Sequence, residues 1–349
     1  MSFCPHAWNS LSVIPGQFAP CCWFMFHWDI PDNETDLLNS SHFIELRKKM
    51  LAGEKIPQCR QCDKNEELGI SSKRQEAITK FGNSVPEIKL KELDIAFDNI
   101  CNLKCRGCTS GNSHLWKKDE ELIYGKSIAK TKYIENNLTI DVTDIENIEI
   151  TGGEPLLSPR FYPFLNKIKD SLETKNLSIV TNGTIMIEDD IIQDLKRCKF
   201  FRLSISIDGL KDTHNYFRSG DVYDTIIKNL NIYYKEFSQC KNVKLEIITT
   251  VNIYNLHELN EMKKQFDNYP NIVWIWKPLE WPEKLSIKNL PNDYKEKINI
   301  DIPHIKKFLN EDQNISFNEF IEYHNKLDCI RNEKLPNSIL SEYINDLHR

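Results

Sequence analysis

From about residue 92 onward, short apolar runs alternate with longer stretches whose apolar residues recur at helical spacing. The runs Leu93–Phe97, Ile148–Thr151, Leu177–Thr181, Phe201–Ile207, Val243–Thr250 and Ile272–Trp276 have the length and β-branched content of parallel strands covered by helices. Between them, Ser158-Pro159 reads as N-cap and first turn of a helix over FYPFLNKIKDSL. Glu188–Lys199 and Asp221–Phe237 carry helical patterns, and Asn255 with Glu258 reads as a capping box for a helix reaching Phe266. Six β/α units predict an α/β fold with a parallel sheet, either doubly wound or curled into a partial barrel; periodicity does not separate the two. In either case the functional loops follow the C-terminal ends of the strands.

The first ninety residues differ. They show little long periodicity but hold Cys4, Cys21, Cys22, Cys59 and Cys62, five of the eleven cysteines. Past the last strand, IPHIKKFLNED and FNEFIEYHNKL predict a small helical extension. The 349 residues suit one large domain or two unequal ones. A net charge of -6, with lysine and arginine scattered among acids, offers no electrostatic footprint for nucleic acid. No apolar run approaches a membrane span, and the start MSFCPHAWNS lacks an export signal, so a cytoplasmic protein without membrane partners is expected. In that setting clustered cysteines point to metal ligation rather than disulfides.

The candidate chemistry sits at the strand ends. Cys101, Cys105 and Cys108, in CNLKCRGC, follow the first strand; Gly152-Gly153-Glu154-Pro155 follows the second, Thr181-Asn182-Gly183 ends the third and Asp208-Gly209-Leu210 follows the fourth. Three thiolates so close in sequence can hold three corners of an iron–sulfur cluster and leave the fourth iron open for chemistry. Zinc is the alternative; it wants a fourth ligand, for which His114 is the nearest candidate. Paired glycines let a backbone approach a ligand closely. Ser204 and Ser206 share one strand face, and the Arg218 guanidinium suits a carboxylate.

CxxxCxxC followed by GGEP resembles the radical S-adenosylmethionine (radical SAM) enzymes. The resemblance implies a TIM-like partial (β/α)6 barrel over residues 91–285, with Cys101, Cys105 and Cys108 as ligands of a catalytic [4Fe-4S] cluster. S-adenosylmethionine would chelate the open iron and be cleaved to a 5′-deoxyadenosyl radical. Gly152, Gly153, Glu154 and Pro155 would hold the methionyl amino group, Asn182, Ser204, Ser206 and Asp208 the ribose, and Arg218 the carboxylate. One residue departs from the family: Gly107 stands before the third cysteine, where an aromatic is usual, which leaves adenine to other groups such as Val251. Residues 1–90, with CPHAWNSLSVIPGQFAPC and CRQC, resemble twitch or half-SPASM modules, although those follow the barrel and these cysteines precede it. Cys4, Cys21, Cys59 and Cys62 would then bind an auxiliary [4Fe-4S] cluster, with Cys22 spare or replacing Cys21; a four-cysteine zinc site is the competing assignment. Residues 286–349 form the helical extension.

On the substrate side, Lys277, Glu280 and Arg74 are the candidates, and Cys198, Cys240 and Cys329 are unassigned thiols, by default small hydrophobes. The expected reaction is hydrogen abstraction from a peptide or protein side chain, with an electron donor such as flavodoxin or ferredoxin. The alternative substrate is a small molecule such as a sugar or nucleotide-sugar, dehydrogenated or rearranged. A zinc-stabilised binding protein without catalysis is the reading of another class.

Overall fold

The computed structural model describes residues 3–31, 36–67, 69, 71–129, 140–313 and 315–347. One open nine-stranded sheet organises the chain: β1 (Ser10–Ile14), β2 (Gln17–Ala19), β3 (Trp28–Asp29), β4 (Glu92–Ala96), β5 (Asn147–Thr151), β6 (Asn176–Thr181), β7 (Phe200–Ser206), β8 (Val243–Val251) and β9 (Val273–Pro278). Their spatial order is β3-β2-β1-β4-β5-β6-β7-β8-β9. From β4 to β9 every pairing is parallel and every neighbour is the next strand in sequence. That is the partial barrel, and its six strands fall where the apolar runs place them.

Alternation along the strands explains the two faces. Leu93, Ile95, Ile148, Ile150, Leu177, Ile179, Leu203 and Leu245 are buried in the main core, under helices such as Phe161–Ile168 and Tyr223–Phe237. Their neighbours Asp94, Glu149, Ser178, Arg202 and Lys244 point to the opposite face, into the barrel lumen, because successive side chains alternate.

The cysteine-rich segment continues this sheet. β1 pairs parallel with β4, placing Ser12 opposite Asp94, and β2 and β3 add antiparallel strands. A second, smaller core gathers Cys4, Trp8, Cys21, Phe24, Met50 and Ala77. At the other end of the chain, the helix Phe317–Arg331 packs against Trp116–Tyr124, which follows the first cysteine motif.

Two expected helix starts are different. The helix after β5 begins at Phe161, not at Ser158-Pro159, because the Ser158 hydroxyl is engaged by Asp98. The helix after β8 runs Leu259–Gln265, preceded by a 3-10 turn at Leu256–Glu258. Asn255 and Glu258 form no capping box there. Asn255 Nδ2 donates to the carbonyls of Asp208 and Thr250, and Glu258 accepts from Leu210 N and Thr213 Oγ1. Both side chains instead brace the loop after β7.

Candidate active site

The C-terminal strand ends converge on a cavity of ≈ 220 Å³. Cys101, Cys105 and Cys108 line it from the loop after β4, Gly152 and Gly153 after β5, and Asn182 after β6. Ser206, Asp208 and Arg218 close it from the β7 side, and Thr250 from β8. The three thiols lie near enough to shift one another's titration. Burial pushes the Cys101 thiol up to about 12 and raises those of Cys105 and Cys108, so a metal must displace protons to bind here. Among the described residues no three His, Cys, Asp or Glu side chains close on a single point as the ligands of one ion do. The nearest zinc candidate, His114, uses Nδ1 to accept from Cys101 N at 3.3 Å, which turns it toward the loop backbone.

The glycine pair lines the cavity and also has a structural task. A Cβ on Gly153 would stand 2.2 Å from the Ile100 carbonyl oxygen, and Gly152 has φ +129° with the Asp98 carbonyl 3.2 Å from a Cβ. The close approach is to the backbone of the cysteine loop, so these glycines seat that loop against β5. Glu154 is fully buried and turned inward. Its carboxylate accepts from Thr181 Oγ1 and Asn182 N, both at 2.7 Å, and from Leu156 N at 3.2 Å. It therefore ties the GGEP loop to the TNG turn, with Pro155 opening the 3-10 turn Pro155–Leu157.

On the other wall, Arg218 Nη2 lies 2.6 Å from Asp208 Oδ2, and Nε donates to the same oxygen at 2.8 Å. Thr250 N donates to Asp208 Oδ1 at 2.6 Å, which fixes the carboxylate. The Arg218 charge also reaches Cys105 and Cys101. His214 Nδ1 accepts from Asp208 N, and burial holds this imidazole neutral. Ser206 lines the cavity, but Ser204 does not; its hydroxyl donates to Glu246 at 2.9 Å. An aromatic ring from the helix Lys211–Arg218 lies beside Gly107: a Cβ there would lie 3.0 Å from Phe217 Cζ, and Phe217 lines the cavity. Val251 is fully buried away from it. Phe217, Thr250, Thr151 and Asn112 are cavity residues that the motifs do not announce, although Thr151 and Thr250 have the strand parity of the lumen face.

Four N-terminal cysteines share one neighbourhood, although among the described residues no three of them close on a single point. Cys4 feels Cys59 and Cys62, and Cys21 feels Cys4 and Cys62. Cys22 is exposed instead, and its thiol lies in the neighbourhood of Asp94, Lys73 and Glu149, toward the lumen. Arg74, expected on the substrate side, is buried and ion-paired to Asp63 at 2.6 Å and Glu66 at 2.7 Å, pinning the helices that carry Cys62. Lys277 is exposed on β9, and Glu280 makes an exposed pair with Lys64 at 3.5 Å; neither lines the cavity. Cys198 is buried in the main core, whereas Cys240 is half-buried and Cys329 exposed.

Residues 95–265 match the Radical SAM superfamily. That match, to just under half of the chain, is to a radical SAM domain. Such domains hold a [4Fe-4S] cluster and S-adenosylmethionine. Among curated relatives, the GTP 3′,8-cyclase of Campylobacter jejuni subsp. doylei is 29% identical over 172 residues, 49% of each chain. That of Geobacter sulfurreducens is 30% identical over 136 residues, 39% of this chain and 38% of its own. The chain thus matches about half the length of its relatives or less. A solved structure described as native anSMEcpe with bound AdoMet shares 19% identity, covering 59% of this chain and 61% of that one, with a TM-score of 0.40. Streptococcus suis SuiB bound to S-adenosylmethionine shares 14% identity, covering 76% and 61%, with a TM-score of 0.30. Among the described residues no helix is long and apolar enough to cross a membrane.

Proposed function

We propose that this chain reductively cleaves S-adenosylmethionine in the ≈ 220 Å³ cavity and directs the radical to a substrate in the barrel lumen. The observation that carries this is the convergence of Cys101, Cys105 and Cys108 with Asn182, Ser206 and Arg218 on one cavity at the strand ends. The donor set suits the group: three thiols for three irons, with an adjoining cation and hydroxyls for a nucleoside amino acid. Once bound, the cluster and S-adenosylmethionine supply the radical that abstracts hydrogen. Arg218, held by Asp208, presents a positive charge for the methionyl carboxylate and offsets the charge of the thiolates. Phe217 offers a ring for adenine in place of the missing aromatic at Gly107.

Cys4, Cys21, Cys59 and Cys62 hold a second, closed cluster in this reading. The support is their mutual proximity beside strands that extend the barrel sheet. Its place is next to the lumen, where it can take an electron from a substrate radical. The substrate is a polar group admitted to the lumen, either a peptide or protein side chain or a small molecule. The GTP 3′,8-cyclase name of the relatives favours the small molecule. An external electron donor such as flavodoxin or ferredoxin completes the cycle.

Iron and sulfide analysis after anaerobic reconstitution tests the two-cluster assignment. About eight irons per chain are expected, falling to about four when Cys59 and Cys62 are both replaced by alanine. A wild-type chain holding about four irons, with zinc on the N-terminal cysteines, contradicts the second cluster.

A further inference from the structure

Strand register lines up one polar row across the lumen, running from Asp94 through Glu149, Ser178 and Arg202 to Lys244. Asp94, Glu149, Ser178 and Arg202, joined by Lys73 and Glu92, line a cavity of ≈ 390 Å³. It lies deeper in the lumen than the S-adenosylmethionine site, toward the N-terminal strand ends where Glu92, Asn147, Asn176 and Phe200 open β4 to β7. Thr151, on the wall of that site, lies two residues beyond Glu149 on β5, about 7 Å along the strand.

Most charges of this cavity are paired. Glu149 Oε2 lies 2.7 Å from Arg202, and Glu92 2.9 Å from His6 with Lys80 also bound; outside the lining, Glu246 lies 2.7 Å from Lys244. Lys73 and Asp94 are different. Among the described residues neither has an ion-pair partner within 4.0 Å, yet each shifts the titration of the other. They sense one another across a gap that they do not close. Among the described residues Asp94 has the Cys22 thiol in its neighbourhood, and Lys73 also lies in the field of Glu149.

We propose that this cavity is the substrate site and that it takes a small zwitterion of the α-amino-acid type, its carboxylate against Lys73 and its ammonium against Asp94. A triphosphate does not suit the same wall. Among the described residues Lys73, Lys80 and Arg202 of this wall stand against Glu92, Asp94 and Glu149, so it holds no surplus of positive charge to offset several phosphate charges. An apolar ligand would strand these ionic groups without water. The proposal deepens the radical SAM reading above and rests on it for the reaction, but not for the binding.

The test is calorimetry on the anaerobically reconstituted chain with S-adenosylmethionine present. The probes are the twenty common free amino acids, their N-acetyl amides, and GTP. At least one free amino acid should bind, and capping both its ends should weaken binding by about tenfold or more. Lys73→Met and Asp94→Asn should each weaken that binding by a similar factor, while melting of the unliganded variants shows whether they fold. Should Lys73→Met fail to fold, the near-isosteric Asp94→Asn and the capped probes on the wild-type chain still decide. Binding of no free amino acid, equal binding of the capped forms, or binding of GTP instead overturns the proposal. Release of 5′-deoxyadenosine by the wild-type chain is measured alongside. Binding without release sinks the cleavage reading and spares the lumen site, and release without binding does the reverse.

Discussion

Gly107 and Phe217 act as one unit, since a side chain at 107 would meet the ring at 3.0 Å. Stacking an aromatic on a base contributes about 1–3 kcal/mol, so Phe217→Ala should weaken S-adenosylmethionine binding roughly tenfold. Calorimetry reads this, with iron content unchanged as the sign that the cluster loop is intact. Glu154 works through the fold, because three donors point at its buried carboxylate. Glu154→Gln turns an amide group toward those donors and should cost about 2 kcal/mol, visible as a lower denaturation midpoint. The sequence makes the residue types of this site plain but not their partners. GGEP marks the loop, yet that its glycines press on Ile100 and Asp98 depends on the path of a different segment. Ser204 and Ser206 have equal parity on β7, and what separates them is Glu246 on β8, one strand away.

The helix Phe317–Arg331 reaches back over the cysteine loop. Arg106, between Cys105 and Cys108, is fully buried and lies 2.5 Å from both Asp328 and Glu333, with Tyr216 3.7 Å from its guanidinium carbon. Tyr323 of the same helix donates to the Arg106 carbonyl at 2.9 Å. Arg106→Leu should destabilise the chain by about 3 kcal/mol in urea unfolding and lower iron retention after desalting, because two carboxylates lose their buried partner. His324, also on this helix, is buried, and its pKa is depressed to about 4 from 6.5. The unfolded chain takes up its proton first as pH falls. The stability due to neutral His324 is therefore complete above about pH 6.5 and is lost toward pH 4, amounting to about 3 kcal/mol. Unfolding of the metal-free chain between pH 7 and 4 should show this decline, and His324→Gln should flatten it. Such elements were half legible: strands and helices follow from apolar spacing, but Asn255 and Glu258 look like caps until the loop after β7 claims them.

At the scale of the molecule, the N-terminal cysteines precede the barrel in sequence and adjoin it in space, because β1 pairs with β4. This explains why residues 1–90 lack long periodicity: their strands are two to five residues long and gain stability from a sheet whose other members come later. It also separates the neighbours Cys21 and Cys22, one facing the other thiols and one facing the lumen. The account stands on the open corner of the cluster at Cys101, Cys105 and Cys108. Its most direct test is 5′-deoxyadenosine formation by the reconstituted chain given dithionite and S-adenosylmethionine. Release of that nucleoside by the wild-type protein, and none after any one of the three cysteines is changed to alanine, is the predicted result. A wild-type chain that carries zinc alone and leaves S-adenosylmethionine intact contradicts it.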